Sequence, residues 1–283
     1  MGLFDFLKKS KQKEVIKEKN SIIEITSTDK GSHGDHFGGM IGFGLLHSEG
    51  GAELVYRFIN YANEQDPSLL NGSISLRDAV LNEINESTAN LRVRAIQIRE
   101  NIPSAFPYLK TTYKIPFSTN KVIEWSHVDN VEAEIYGEGR GAFALGFFAT
   151  DYAVNKEMYK TQKELEINVS AFVLMLEEED LSQESNPDGL RFASDFATYL
   201  PNTNLTGICN YDIIGKIIDF TEMIVIPDPE IHGYLVRISL INDHNPEFFT
   251  IDMFVNKNNT TITEMKKGMS VSGTIWMQGE INS

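Results

Sequence analysis

Phe248-Phe249-Thr250-Ile251-Asp252-Met253-Phe254-Val255 alternates with a period of two. Phe249, Ile251, Met253 and Val255 fall on one face, and Phe248, Thr250, Asp252 and Phe254 on the other. Only an extended strand separates faces this way. Working outward, Ile213 to Ile226 reads as a long bending strand, closed by the Pro227-Asp228-Pro229 turn. Tyr234 to Ile241 is a second strand, and Asn242-Asp243-His244-Asn245-Pro246 is a turn by composition. After a polar connection, Asn256 to Lys267, a last strand runs from Gly268 to Ile281, punctuated by Gly268, Gly273 and Gly279. Glycines inside strands permit the coiling that a small closed barrel needs.

Gly268-Met269-Ser270-Val271-Ser272-Gly273-Thr274-Ile275-Trp276 resembles a strand of OB-like barrels. The resemblance implies an OB-like module over residues 209–283. Many such barrels bind single-stranded nucleic acid through a basic groove with stacking aromatics. Tyr234, Phe248, Phe254 and Trp276 could stack, but Lys216, Arg237, Lys257, Lys266 and Lys267 face a larger set of acidic residues. Nucleic acid is therefore not the expected partner.

Residues 21–180 read as a separate α+β module, with a mainly antiparallel sheet and two or three helices. Ser21 to Ser27 is a short strand, and the glycine-rich stretch from Gly31 to Gly51 is expected to be loop. Leu54, Phe58 and Tyr61 share a helical face within Glu53–Asn63. Ser75-Leu76-Arg77-Asp78 has a capping-box pattern that predicts a helix to about Ser87. Strands are expected from Leu91 to Arg99, in a hairpin over Asn130–Ala149 and at Ile167–Leu176, with a helix over Lys156–Leu165. Pro103, Pro107 and Pro116 divide the intervening region into extended pieces. Residues 181–208 read as a linker and residues 1–20 as a basic amphipathic tail. The whole is an α+β chain followed by an OB-like barrel.

The chain has 283 residues, 25 basic and 40 acidic, and a formal charge of −15. Six lysines and three acidic residues lie in the first twenty positions, so the remainder carries −18. Such a body repels a phosphate backbone and favours a basic partner. In the tail, Leu3, Phe4, Phe6 and Leu7 are backed by Lys8 and Lys9 and resemble the opening of short membrane-active peptides. That likeness implies a weak interfacial anchor. The lone cysteine, Cys209, excludes an internal disulfide and a cysteine-based zinc site.

Three sets of residues could carry function. His33, Asp35, His36 and His47 supply imidazole and carboxylate ligands of the kind zinc or another divalent cation takes, though in no standard spacing; the same residues also suit a polar turn. Arg140, Thr150, Asp151, Tyr152 and Asn155 could form a recognition edge, with Trp276 as a further binding candidate. Leu3, Phe4, Phe6 and Leu7 could meet a membrane. No nucleophile elbow surrounds any serine. The expectation is a non-enzymatic, cytoplasmic binding or regulatory protein, without a cofactor, that recognises another and basic protein. The alternatives are a metal-dependent hydrolase at the glycine- and histidine-rich stretch and a peripheral membrane adaptor.

Overall fold

Strands take up most of the described residues. The computed structural model describes residues 22–27, 33–71, 74–82, 89–139, 143–181, 196–202, 205, 209–241 and 249–281. In order, the elements are β1 (Ile23–Ser27), α1 (Gly34–Ile41), α2 (Phe43–Leu46), α3 (Gly51–Asn63), β2 (Ser68–Asn71), β3 (Ile74–Val80), β4 (Ala89–Ile98), β5 (Asn101–Thr111) and β6 (Lys114–Trp125). There follow β7 (Ala133–Gly139), β8 (Ala144–Ala149), α4 (Tyr152–Thr161), β9 (Glu164–Glu178), β10 (Thr198–Pro201), β11 (Asn210–Ile224), β12 (His232–Ile241), β13 (Phe249–Asn256) and β14 (Ser270–Ile281).

Two sheets result. One is a four-stranded antiparallel meander, β2-β3-β4-β5. The other is a ten-stranded mixed sheet, ordered β1-β6-β7-β8-β14-β9-β13-β12-β11-β10, with β6–β9 and β14–β11 also paired. Those two extra pairings close the sheet into two circuits. One runs β6-β7-β8-β14-β9 and the other β11-β12-β13-β9-β14, so β9 and β14 belong to both.

The circuits are built from repeated sequence. Phe147-Phe148, Asp151 and Val154-Asn155-Lys156 recur as Phe248-Phe249, Asp252 and Val255-Asn256-Lys257. Val169-Ser170, Val173 and Met175 recur as Val271-Ser272, Ile275 and Met277. Lys114-Ile115 recurs as Lys216-Ile217, and Glu132 with Tyr136 as Glu230 with Tyr234. The pairing obeys the same correspondence: Lys114 lies opposite Asn168 on β9, and Lys216 opposite Ser270 on β14. Val173 and its repeat Ile275 lie directly opposite each other, which puts a pseudo-twofold axis between β9 and β14. Even the ion pairs repeat, since Lys156 binds Glu124 and Lys257 binds Glu222, each on the first strand of its own half.

This topology overturns the expectation of an α+β chain ending in an OB-like barrel. The described residues are mostly strand, with four α-helices. The C-terminal strands do not close on themselves. β13 pairs parallel with β9, and β14 pairs with β9 along its length and with β8 at its end. Alternation and in-strand glycines report strands and coiling; they do not report which strand completes the ring. The ten-stranded sheet runs through the stretch expected to be a linker: Thr198–Pro201 forms β10 on the edge of β11, and residues 182–195 lie outside the described residues.

At Gly273 the two shared strands leave no room for a side chain. A Cβ there would meet the Met175 carbonyl oxygen at 2.1 Å and Leu176 Cα at 3.1 Å. Backbone cannot step aside as a side-chain tip can. Gly273→Ala is expected to destabilise the fold by about 1–3 kcal/mol, the usual cost of overpacking. Urea denaturation checks it; an unchanged midpoint would mean that β9 and β14 are not in this register.

Other local expectations change for physical reasons. The Gly31–Gly51 stretch is largely helical, not loop, from Gly34 onward. Gly39 lets α1 press on β9, because a Cβ there would stand 3.0 Å from that of Phe172. Asn259 secures the contact by donating to the Gly38 and Val173 carbonyls. The helix expected from Ser75 is strand β3, since Arg77 and Asp78 are held by distant groups. Arg77 donates to the Asn63 and Gln65 carbonyls, and Asp78 receives Arg94 from β4. Pro103 and Pro107 do not interrupt β5, which is an edge strand whose free side needs no N–H donors. Helix α4 begins at Tyr152, ahead of the expected Lys156, and ends at Thr161.

Candidate functional site

The turn after β6 builds the site. Trp125 ends that strand, and Ser126–Val128 make a short 3-10 turn. Asp129 and Asn130 then take the left-handed conformation, with φ of 57° and 55°, a region these short polar side chains tolerate better than most. The Trp125 N–H donates to the Glu132 carbonyl at 3.0 Å and closes the turn. Glu132 is thereby directed inward, with only 1 % of its surface exposed.

Helix α1 meets it there. His33, at the helix N-terminus, places Nε2 2.9 Å from Glu132 Oε1 and Nδ1 2.8 Å from His36 Nδ1. The Ser104 hydroxyl, on β5, donates to the same Glu132 oxygen. His36 stacks on the Trp276 indole, centroids 3.5 Å apart and planes 3° from parallel. Trp125, Phe106 and Phe148 complete a ring of aromatic groups around His33. Burial, and then the neighbouring His33, hold the His36 pKa well below the usual imidazole range, so this ring is neutral near pH 7. His33 thereby bridges His36 and Glu132 through its two ring nitrogens.

Glu132 thus receives two donors on Oε1 and none on Oε2. Among the described residues it is the one buried carboxylate with an unpartnered oxygen. Its neighbours set the contrast. Glu134 takes the Trp125 indole N–H at 3.1 Å on one oxygen and the Tyr136 hydroxyl at 2.5 Å on the other. Glu124 takes Lys156, Lys160 and the Tyr152 hydroxyl. Leaving a buried acceptor bare costs about 1–3 kcal/mol, and more when it is charged. Glu132 lines a cleft of about 290 Å³, together with His33, Phe37, Val55, Ile59, Pro103 and Ser104.

The expected metal set is divided. His33 and His36 come together, whereas Asp35 and His47 are exposed, and His47 lies beside Phe43 at the end of α2. Among the described residues no group of three or more His, Cys, Asp or Glu is arranged to hold a metal ion. Thr150, Asp151 and Tyr152 are buried. Asp151 accepts from the Tyr159 hydroxyl, the Asn155 amide and the Ile281 N–H, tying α4 to the end of β14. Burial pushes its carboxyl up from the usual range, against those donors. Trp276 is fully buried, as a wall of the histidine cluster. Arg140, Leu3, Phe4, Phe6 and Leu7 lie outside the described residues. The Cys209 thiol is buried, and its pKa is pushed well up.

Sequence reading missed Glu132, Ser104 and Trp125. The repeat was the available signal, because Glu132 occupies the position of Glu230 and so marks a recurring turn. In the second half that turn meets α3 instead of α1: Arg57 donates to Asp228 at 2.9 Å. One helical segment serves two equivalent turns, and at the first His33 and His36 come together.

The fold and site define a duplicated β-protein with one buried carboxylate in an apolar-walled cleft. Against known protein families, curated proteins and solved structures, the chain matches none. No helix among the described residues is long and apolar enough to cross a membrane.

Proposed function

We propose that this chain is a non-enzymatic, cytoplasmic binding protein that recognises another protein of basic character. The observation that carries the reading is the buried Glu132 carboxylate, whose Oε2 accepts no hydrogen bond. The cleft thus offers an acceptor, within a chain of net charge −15. The single, buried Cys209 supports a reducing compartment.

Affinity capture with the tagged full-length chain tests the proposal. The expected result is one reproducible polypeptide with a basic isoelectric point, retained at low salt and largely released at 1 M salt, where the screening length falls to about 3 Å. Recovery of no reproducible partner, or of one indifferent to salt, overturns it.

A further inference from the structure

The cleft over Glu132 has the chemistry of a site for one primary ammonium, and we propose that it receives a lysine side chain of the partner protein. The proposal rests on the protein-binding reading above and assigns it a contact. Three observations favour this occupant. The carboxylate is buried with one oxygen unpartnered, so the site lacks a donor, and a cationic one would also balance its charge. Only that oxygen is free, since His33 and Ser104 share the other. A guanidinium fork binds best to both oxygens of a carboxylate, whereas an ammonium is a point donor. Finally, Phe37, Val55, Ile59 and Pro103 make the walls apolar, which suits the methylene stem of lysine and not a hydrated inorganic cation.

The two tryptophans of the chain report on the site directly. Trp125 lies 5.6 Å from His33 by ring centroids, and Trp276 stacks on His36. Titration of the full-length protein with a blocked glycine peptide bearing one lysine is expected to change tryptophan fluorescence saturably. The same peptide with arginine, acetyl-lysine or norleucine should bind at least about tenfold more weakly, the loss expected of one charge-assisted bond. Glu132→Gln should weaken the lysine peptide by a similar factor. Because that change alters a buried group, Ile59→Phe, which narrows the cleft from the α3 side, provides a second variant, read by calorimetry and expected to abolish binding. An equal response to norleucine, a preference for arginine, or undiminished binding by folded Glu132→Gln overturns the proposal. Binding seen only after residues 2–20 are deleted would give the cleft to the chain's own lysines, and overturns the assignment to a partner. If a basic partner is captured equally by wild type and Glu132→Gln, the ammonium site fails while the protein-binding reading stands. If the lysine peptide binds but no partner is captured, the converse holds.

Discussion

Trp276→Ala is expected to lower folding stability by about 3–5 kcal/mol, the range for deleting a large aromatic side chain from a core. Trp276 is fully buried on β14, near the pseudo-twofold axis, where it faces Phe172 across the β9–β14 pair. It also stacks on His36 and lies within 5.5 Å of Phe148 by ring centroids. One deletion therefore opens a void shared by both circuits and by α1. A loss of this size is a large part of the about 5–15 kcal/mol that stabilises a typical domain. Trp276→Phe should cost much less, because the indole N–H has no hydrogen-bond partner to lose. Denaturant unfolding of both variants, followed by far-ultraviolet circular dichroism, separates the outcomes. If alanine were tolerated as well as phenylalanine, β14 would not be the centre of the core.

What could be read from sequence followed the range of the forces involved. Phe249 to Val255 was legible as a strand because alternation is local, and the helix at Glu53–Asn63 was legible because Leu54, Phe58 and Tyr61 share a face. Ser75–Asp78 misled for the converse reason. Its polar residues imitate a helix start, yet Arg77 and Asp78 are satisfied by groups that sequence places far away. The helical content of the glycine-rich stretch was hidden in a similar way, because Gly39 is small to fit Phe172 and not to turn the chain.

The site was half legible. Two histidines one helical turn apart stood out by type, and the structure does bring His33 and His36 together. Their partner did not, because Glu132 is one of many acidic residues and only the left-handed turn at Asp129–Asn130 brings it inward. Asp35 drew notice by its spacing from the histidines, but on α1 it points to solvent while His36 is buried. The OB-like resemblance concerned one strand, and a strand's sequence encodes its faces more strongly than its neighbours. The duplicated halves then exchange partners at β9 and β14, which no reading confined to the C-terminal strands contains.

Asp78→Ala is expected to cost about 3–5 kcal/mol, the usual effect of removing one partner from a buried ion pair. Arg94 is 7 % exposed and gives Asp78 two hydrogen bonds, at 2.7 Å from Nε and 2.6 Å from Nη2. Its other contacts are the Tyr108 hydroxyl and the Thr150 carbonyl, so it links the meander to the turn before α4. Without Asp78 the guanidinium stays buried with no carboxylate hydrogen-bonded to it. Arg94→Leu together with Asp78→Ala should lose less than the two single changes summed, because the second removes the stranded charge left by the first. The pH dependence has a definite sign. Burial pushes the Asp78 carboxyl up, but hydrogen bonds and charge from Arg94, and the Tyr108 hydroxyl, more than reverse this and leave it below the ordinary aspartate value. Folding therefore favours the ionised form. Its contribution is fully present above the unfolded aspartate value of about 3.9 and is lost as pH falls through the folded one. Urea unfolding of wild type and Asp78→Ala across this acid range should show the gap between them closing as pH drops. A gap that stayed constant, or single changes whose effects simply added, would mean that Arg94 is held by Tyr108 and Thr150 and not by the charge of Asp78.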